Sequence, residues 1–329
     1  MRVVCFLASC VAALLPVAAG AESRADIDGV HDVGNVPMYL RCEGASETTL
    51  VIDGGAGTSS ARYQPLQAAL SDTQRVCIYD RAGLGASGAS SSPRTSDNMA
   101  RELRELLDVA EVAGPLILLG HSLGGYNIRA FHAAFPEDVV GLIFVDSAHP
   151  DQWERLPPEV AQLIAFGAAQ NRKQAEAAAS GSLKSSQLEA SLPPFVSGER
   201  RRRILAALLS PAPYVAAAEE VESAPRSAMI ARASGRDLDI PVAVLSAGNS
   251  FDMFAGFLAE VAESNEVWSE LQTELAALSA DSMRNTLAAS HNLTDTHVED
   301  VASFVHRAIE FIESSAPDLP KFERKMEKR

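Results

Sequence analysis

Four runs of consecutive aliphatic residues constrain this chain more than any other feature: TLVID at 49–53, RVCIY at 75–79, PLILL at 115–119 and VVGLIFV at 139–145. A strand with one wet face alternates apolar and polar residues, whereas a strand buried on both faces reads as an unbroken apolar run. The segments between these runs, near 61–71, 95–113 and 124–135, carry helical periodicity instead. Strands that alternate with helices are joined by crossovers, so the expected fold class is α/β, with a mostly parallel sheet covered by helices on both faces. A fifth run, IPVAVLSA at 240–247, resumes the pattern after a long gap, and helical stretches at 267–278 and 298–314 follow it. With 47% hydrophobic residues the chain can build one large core. No repeat of about 20 to 50 residues is visible, which removes solenoids and propellers.

The long gap defines the organisation. Residues 150–237 hold Trp153, the Pro157-Pro158 pair, an Ala-rich stretch and the basic cluster Arg200–Arg203, without a strand-like run. A helical cap is therefore expected at 150–237, inserted into a core at 22–149 and 238–315 that opens with a hairpin-like region at 28–43, with a flexible tail at 316–329. At the N-terminus, Met1-Arg2, an apolar run from Val3 to Ala19 and the step Ala19-Gly20-Ala21 read as a signal peptide over 1–21. The expected protein is exported, periplasmic or secreted, and keeps no membrane span. Leu7-Ala8-Ser9-Cys10 resembles a lipoprotein cleavage box, but only six residues precede it. Cys42 and Cys77 sit in strand-like runs and are read as buried unpaired thiols, although export permits one disulfide. A formal net charge of -15 argues against a nucleic-acid surface, and Arg200–Arg203 reads as a solvated face or a domain contact.

In a parallel sheet, ligands meet the carboxyl ends of the strands. At one such end stands Gly120-His121-Ser122-Leu123-Gly124, a Gly-x-Ser-x-Gly turn that raises one hydroxyl at its apex. A serine hydroxyl needs a histidine to take its proton and a carboxylate to orient that histidine. Of seven histidines, His291 lies in a late polar loop before the terminal helix, the place for a base in the order Ser, acid, His; His297 is its competitor. For the acid, Asp146 ends the strand GLIFVD and is preferred, with Asp252, beyond VAVLSAG, as the alternative. The oxyanion donors are expected to be the N–H groups of Leu123, directly after the serine, and of Gly55 in the turn Asp53-Gly54-Gly55-Ala56-Gly57.

These segments, TLVIDGGAGTSS, VCIYDRAGLGAS, LLGHSLGG, GLIFVDSAHPDQ and ASHNLTDTHVEDV, occur in the order found in the α/β-hydrolase superfamily, which the chain resembles over nearly its whole mature length. The resemblance implies an eight-stranded, mostly parallel sheet, a helical cap after the sixth strand, no cofactor and no metal, with Ser122 as nucleophile and His291 as base. Two departures stand out. Many members have His-Gly where this chain has Asp53-Gly54, and most place the acid after the seventh strand, where this chain has Asn249 and Ser250. A subset that includes some haloalkane dehalogenases carries it after the sixth, matching Asp146. Dehalogenases and epoxide hydrolases use an aspartate nucleophile, which Ser122 is not. Arg81, in YDRAGLGAS, reads as structural, with Asp80 pairing into the loop that follows.

The expected function is that of an exported serine hydrolase cleaving a carboxylic ester through an acyl-serine intermediate. The alternatives are an amidase or thioesterase on the same residues, or a ligand-binding protein that keeps the fold without turnover. The expected partner is a small-molecule ester. Leu163, Phe166, Phe195, Leu205 and Leu208 either line an acyl pocket or pack the cap onto the sheet.

Overall fold

The structure, a computed structural model, describes residues 25–315 except Ala113. The segment read as a signal peptide and the tail from 316 lie outside them. Eight strands form one sheet: β1 (Ile27–Val33), β2 (Val36–Glu43), β3 (Thr49–Asp53), β4 (Arg75–Tyr79), β5 (Leu116–His121), β6 (Val139–Val145), β7 (Val242–Ala247) and β8 (Ser282–Leu287). Their order is β1-β2-β4-β3-β5-β6-β7-β8, with β2 antiparallel to both neighbours and the remaining pairs parallel. The helices are α1 (Gln64–Leu70), α2 (Ser96–Val109), α3 (Gly124–Ala134), α4 (Gln152–Arg155), α5 (Pro158–Ala179), α6 (Ser185–Ser191), α7 (Gly198–Leu208), α8 (Ala212–Glu222), α9 (Ala224–Ala233), α10 (Val261–Ala276), α11 (Leu293–Thr296) and α12 (Val298–Ser315). Among the described residues no single helix is long and apolar enough to cross a membrane.

Successive strand side chains point to opposite faces, so each aliphatic run feeds two cores. Val51, Leu118, Leu142 and Val244 pack with Leu103, Leu107 and Phe131 of α2 and α3. Their neighbours Ile52, Leu119, Ile143 and Leu245 pack with Leu66 of α1 and Phe304 and Val305 of α12. Burying each such side chain contributes about 1.5–3 kcal/mol, which is why both faces of these strands are aliphatic. Gly141 interrupts its run because a Cβ there would stand 2.5 Å from Ile312 of α12.

The sheet corrects one expectation. Cys42 and Cys77 are direct partners across the antiparallel β2–β4 pair, with Cα atoms 4.1 Å apart, and they form a disulfide. Strand pairing, invisible in the spacing of the two residues, brings them together. Joint replacement by alanine is expected to lower the unfolding free energy by about 2–4 kcal/mol, since the bond closes a long loop in the unfolded chain. A urea midpoint equal to that of the wild type would refute this.

Between β6 and β7 the chain forms α4 to α9. Arg200 of α7 ties this insert to the core: it is buried, donates to Gln64 Oε1 at 3.0 Å and Ser60 Oγ at 2.8 Å, and lies over the Tyr39 ring.

Candidate active site

Parallel register brings the carboxyl ends of β3, β5 and β6 to one edge, where Asp53 pairs with Gly120 and His121 with Val145. Ser122 follows β5 with φ +54°, a conformation that costs a non-glycine residue energy and raises the side chain above the turn. The flanking glycines are steric necessities. A Cβ on Gly120 would meet the Gly124 backbone at 2.6 Å, and one on Gly124 would meet the Asp53 carbonyl at 2.2 Å.

His291, in the loop between β8 and α11, places Nε2 3.0 Å from Ser122 Oγ and Nδ1 2.6 Å from Asp146 Oδ2. Asp146 is fully buried and accepts the Ala247 N–H at 2.9 Å, the Trp268 indole N–H at 2.8 Å and the Ser250 hydroxyl at 2.8 Å. Burial pushes its carboxyl up, but the hydrogen bond and charge of His291, with the Trp268 and Ala247 donors, hold it below the ordinary aspartate value. An ionised Asp146 keeps the proton of His291 on Nδ1 and leaves the Nε2 lone pair facing Ser122.

The two competing residues lie apart from this line. Asp252 is exposed and accepts from Asn265 at 2.8 Å, and His297 Nδ1 pairs with Thr296 at 2.9 Å. Ser250 follows β7, in the stretch where the sequence resemblance placed an acid, and its hydroxyl donates to Asp146. The donation of Trp268 and Ser250 to Asp146 is invisible in the sequence, because hydrogen bonds from α10 and the β7 loop leave no periodic signal.

The oxyanion turn is arranged differently from the expectation. The Gly55 N–H donates to the Tyr63 hydroxyl at 2.9 Å, so it is already engaged. Tyr63 in turn donates to His121 Nδ1 at 2.8 Å, and His121 Nε2–H donates to the His291 carbonyl at 3.0 Å. Burial, and then the neighbouring His291, depress His121 to about 3, so it stays neutral in this chain of bonds. The next residue, Ala56, lines the cavity beside Ser122 and Leu123. Within the described residues the N–H groups of Ala56 and Leu123 have no protein acceptor.

Asp53, at the end of β3, belongs to a buried charge cluster. It accepts from Arg81 at 2.8 Å, the Tyr79 hydroxyl at 2.5 Å and Asn127 at 3.0 Å. Asp80 accepts the Ala86 N–H at 2.8 Å in the loop that follows, and the Ser60 N–H at 2.6 Å.

A cavity of about 460 Å³ opens onto Ser122 and His291. Its walls include Leu156, Leu163 and Phe166 from the insert and Phe251, Phe254 and Trp268 from the other side, and among the described residues no Lys, Arg, Asp or Glu lines it. Of the apolar residues expected to face an acyl pocket or the sheet, Leu163 and Phe166 reach this cavity; Phe195, Leu205 and Leu208 do not, and Leu208 packs near Val196 and Ile204. His149, Asp151 and Glu274 lie close enough to share a cation. Each is also engaged in the protein's own contacts: Asp151 accepts from Arg232 at 2.6 Å, Glu274 accepts from Arg155, and His149 Nδ1 accepts the Asp151 N–H at 3.1 Å.

Comparison with known proteins agrees with this architecture. The family model described as "Alpha/beta hydrolase family" matches residues 50–304. The uncharacterized protein YqjL of Bacillus subtilis is 37% identical over 109 residues, covering 33% of this chain and 43% of that protein. The chain spans less than half the length of the first such relatives. An enol-lactonase from Burkholderia xenovorans superposes with a TM-score of 0.59 at 21% identity, over 85% of this chain and 99% of that one. A thermophilic esterase from Thermogutta terrifontis gives 0.57 at 20% identity, over 88% and 99%. Sheet order, the serine turn at the end of β5 and a match across most of the chain lead to one conclusion: this protein belongs to the alpha/beta hydrolase family.

Proposed function

We propose that this protein is an exported serine hydrolase that cleaves carboxylic esters carrying an apolar group. The observation that carries this reading is the line from Asp146 through His291 to Ser122 Oγ, at 2.6 and 3.0 Å, beside two unengaged amides and an uncharged cavity. His291 Nε2 takes the hydroxyl proton as Ser122 Oγ attacks the ester carbonyl carbon. The N–H groups of Leu123 and Ala56 receive the oxyanion, each such donor being worth about 3 kcal/mol. Collapse expels the alcohol, protonated by His291; a water molecule then repeats the sequence on the acyl-serine and releases the acid. The Cys42–Cys77 disulfide and the apolar segment after Arg2 support export, because disulfides persist in oxidising compartments.

The test is fluorophosphonate labelling with peptide mapping, combined with turnover of p-nitrophenyl esters of rising acyl length. Labelling at Ser122 is expected. Burial of each added methylene contributes about 0.8 kcal/mol, so kcat/KM should rise up to about fourfold per methylene from acetate until the cavity fills. Absence of labelling and turnover in the folded protein would sink the reading in favour of ligand binding without catalysis. Preference for amides or thioesters over matched esters would reassign the leaving group.

A further inference from the structure

Arg81 is almost wholly buried, and all five of its N–H donors are used. Nε and one Nη2 hydrogen reach the two carboxylate oxygens of Glu220 at 2.7 and 2.8 Å; Nη1 donates to Asp53 Oδ1 and the Gly54 carbonyl, both at 2.8 Å; the remaining Nη2 hydrogen goes to the Gly55 carbonyl at 2.7 Å. In a trans peptide the carbonyl and the following N–H point in opposite directions. Drawing the Gly54 and Gly55 carbonyls toward Arg81 therefore turns the Gly55 and Ala56 N–H groups away from it: the first reaches Tyr63, and the second belongs to a residue that lines the Ser122 cavity. The guanidinium sets the direction of the oxyanion donor.

Glu220 comes from α8, in the insert, and is fully buried. Besides gripping Arg81 it accepts the Gly57 N–H at 2.7 Å, so one carboxylate holds the turn at both ends. Its helix is seated closely: Gly57 has φ +66° and a Cβ there would stand 2.8 Å from the Ala217 Cβ, while one on Gly83, φ +87°, would stand 2.6 Å from the Ala216 Cβ.

We propose that Glu220 is a positioning residue for the oxyanion: by holding Arg81 and the Gly57 N–H it aims the Ala56 N–H at the reacting carbonyl, making transition-state stabilisation depend on α8 being seated. This rests on Ser122 being the nucleophile. Because the donor is misdirected rather than removed, its loss should cost less than deletion of a donor, which lowers kcat about 10²–10³-fold.

The experiment uses the full chain and p-nitrophenyl butyrate, with Glu220→Gln, Glu220→Asp and a control, Glu222→Gln. Glu222 lies on the same helix in an exposed ion pair with Arg172. The expected result is a kcat lowered about 10- to 100-fold in both Glu220 variants, with KM within about twofold of wild type. Inhibition by butylboronic acid, whose tetrahedral adduct needs the oxyanion donors, should weaken by a similar factor, and Glu222→Gln should behave as wild type. A folded Glu220→Gln with unchanged kcat, a loss confined to KM, or an equal loss in Glu222→Gln would each overturn the proposal while leaving wild-type labelling and turnover intact. Should Glu220→Gln not fold, Glu220→Asp decides, since it keeps the charge but is one methylene too short to reach both Arg81 and Gly57. A wild-type enzyme without labelling or turnover would overturn the nucleophile reading and this proposal with it.

Discussion

Replacing Ser122 with alanine is expected to lower turnover about 10⁶-fold, the magnitude seen when the nucleophile of such a line is removed. The change deletes one hydroxyl whose hydrogen-bonding partner is His291 Nε2, on a residue that already accepts φ +54° with a Cβ. The fold and the cavity should therefore persist, with the melting temperature close to that of the wild type. Active-site-titrated kcat, corrected for spontaneous hydrolysis, is the measurement. Residual activity as high as one hundredth of wild type, in a preparation free of contaminating esterase, would remove Ser122 from the role of nucleophile.

The second large effect concerns the acid. Asp146→Asn should lower kcat about 10⁴-fold, as an uncharged amide at this position does where the same chemistry is understood. With Trp268 and Ala247 donating to one oxygen, the asparagine NH₂ would face His291 Nδ1. It would donate there, drive the imidazole proton to Nε2 and remove the lone pair that Ser122 requires. Asp252→Asn should retain wild-type activity, because that carboxylate sits in solvent against Asn265. Parallel fluorophosphonate labelling rates for the two variants separate the cases; slow labelling only in Asp252→Asn would move the acid to the β7 loop.

The parts legible in the sequence share one property: each is encoded by residues close together in the chain. Strands β3 to β7 announce themselves because burial on both faces demands apolar side chains on both, so their central positions read as aliphatic runs. The serine turn is equally local, since Gly120 and Gly124 are required by clashes within one strand-turn-helix unit and its neighbouring strand. By contrast β8, SMRNTL, lies at the sheet edge with most of its side chains exposed, so its sequence carries no apolar run to reveal it. The Gly-rich turn was recognisable, but which of its amides stays free depends on Tyr63 capturing Gly55, a contact that a motif does not contain.

From the sequence alone came the α/β class, the nucleophile candidate, the late histidine, and a choice between two aspartates. Tertiary structure alone decided that Asp146 rather than Asp252 meets His291, that Cys42 and Cys77 face one another, and that a glutamate in the insert grips the arginine behind the oxyanion turn. The physical reason is range. Backbone sterics and hydrophobic periodicity act over a few residues and are written into neighbours, whereas a 2.6 Å contact between residues 145 positions apart exists only once the sheet has set its register.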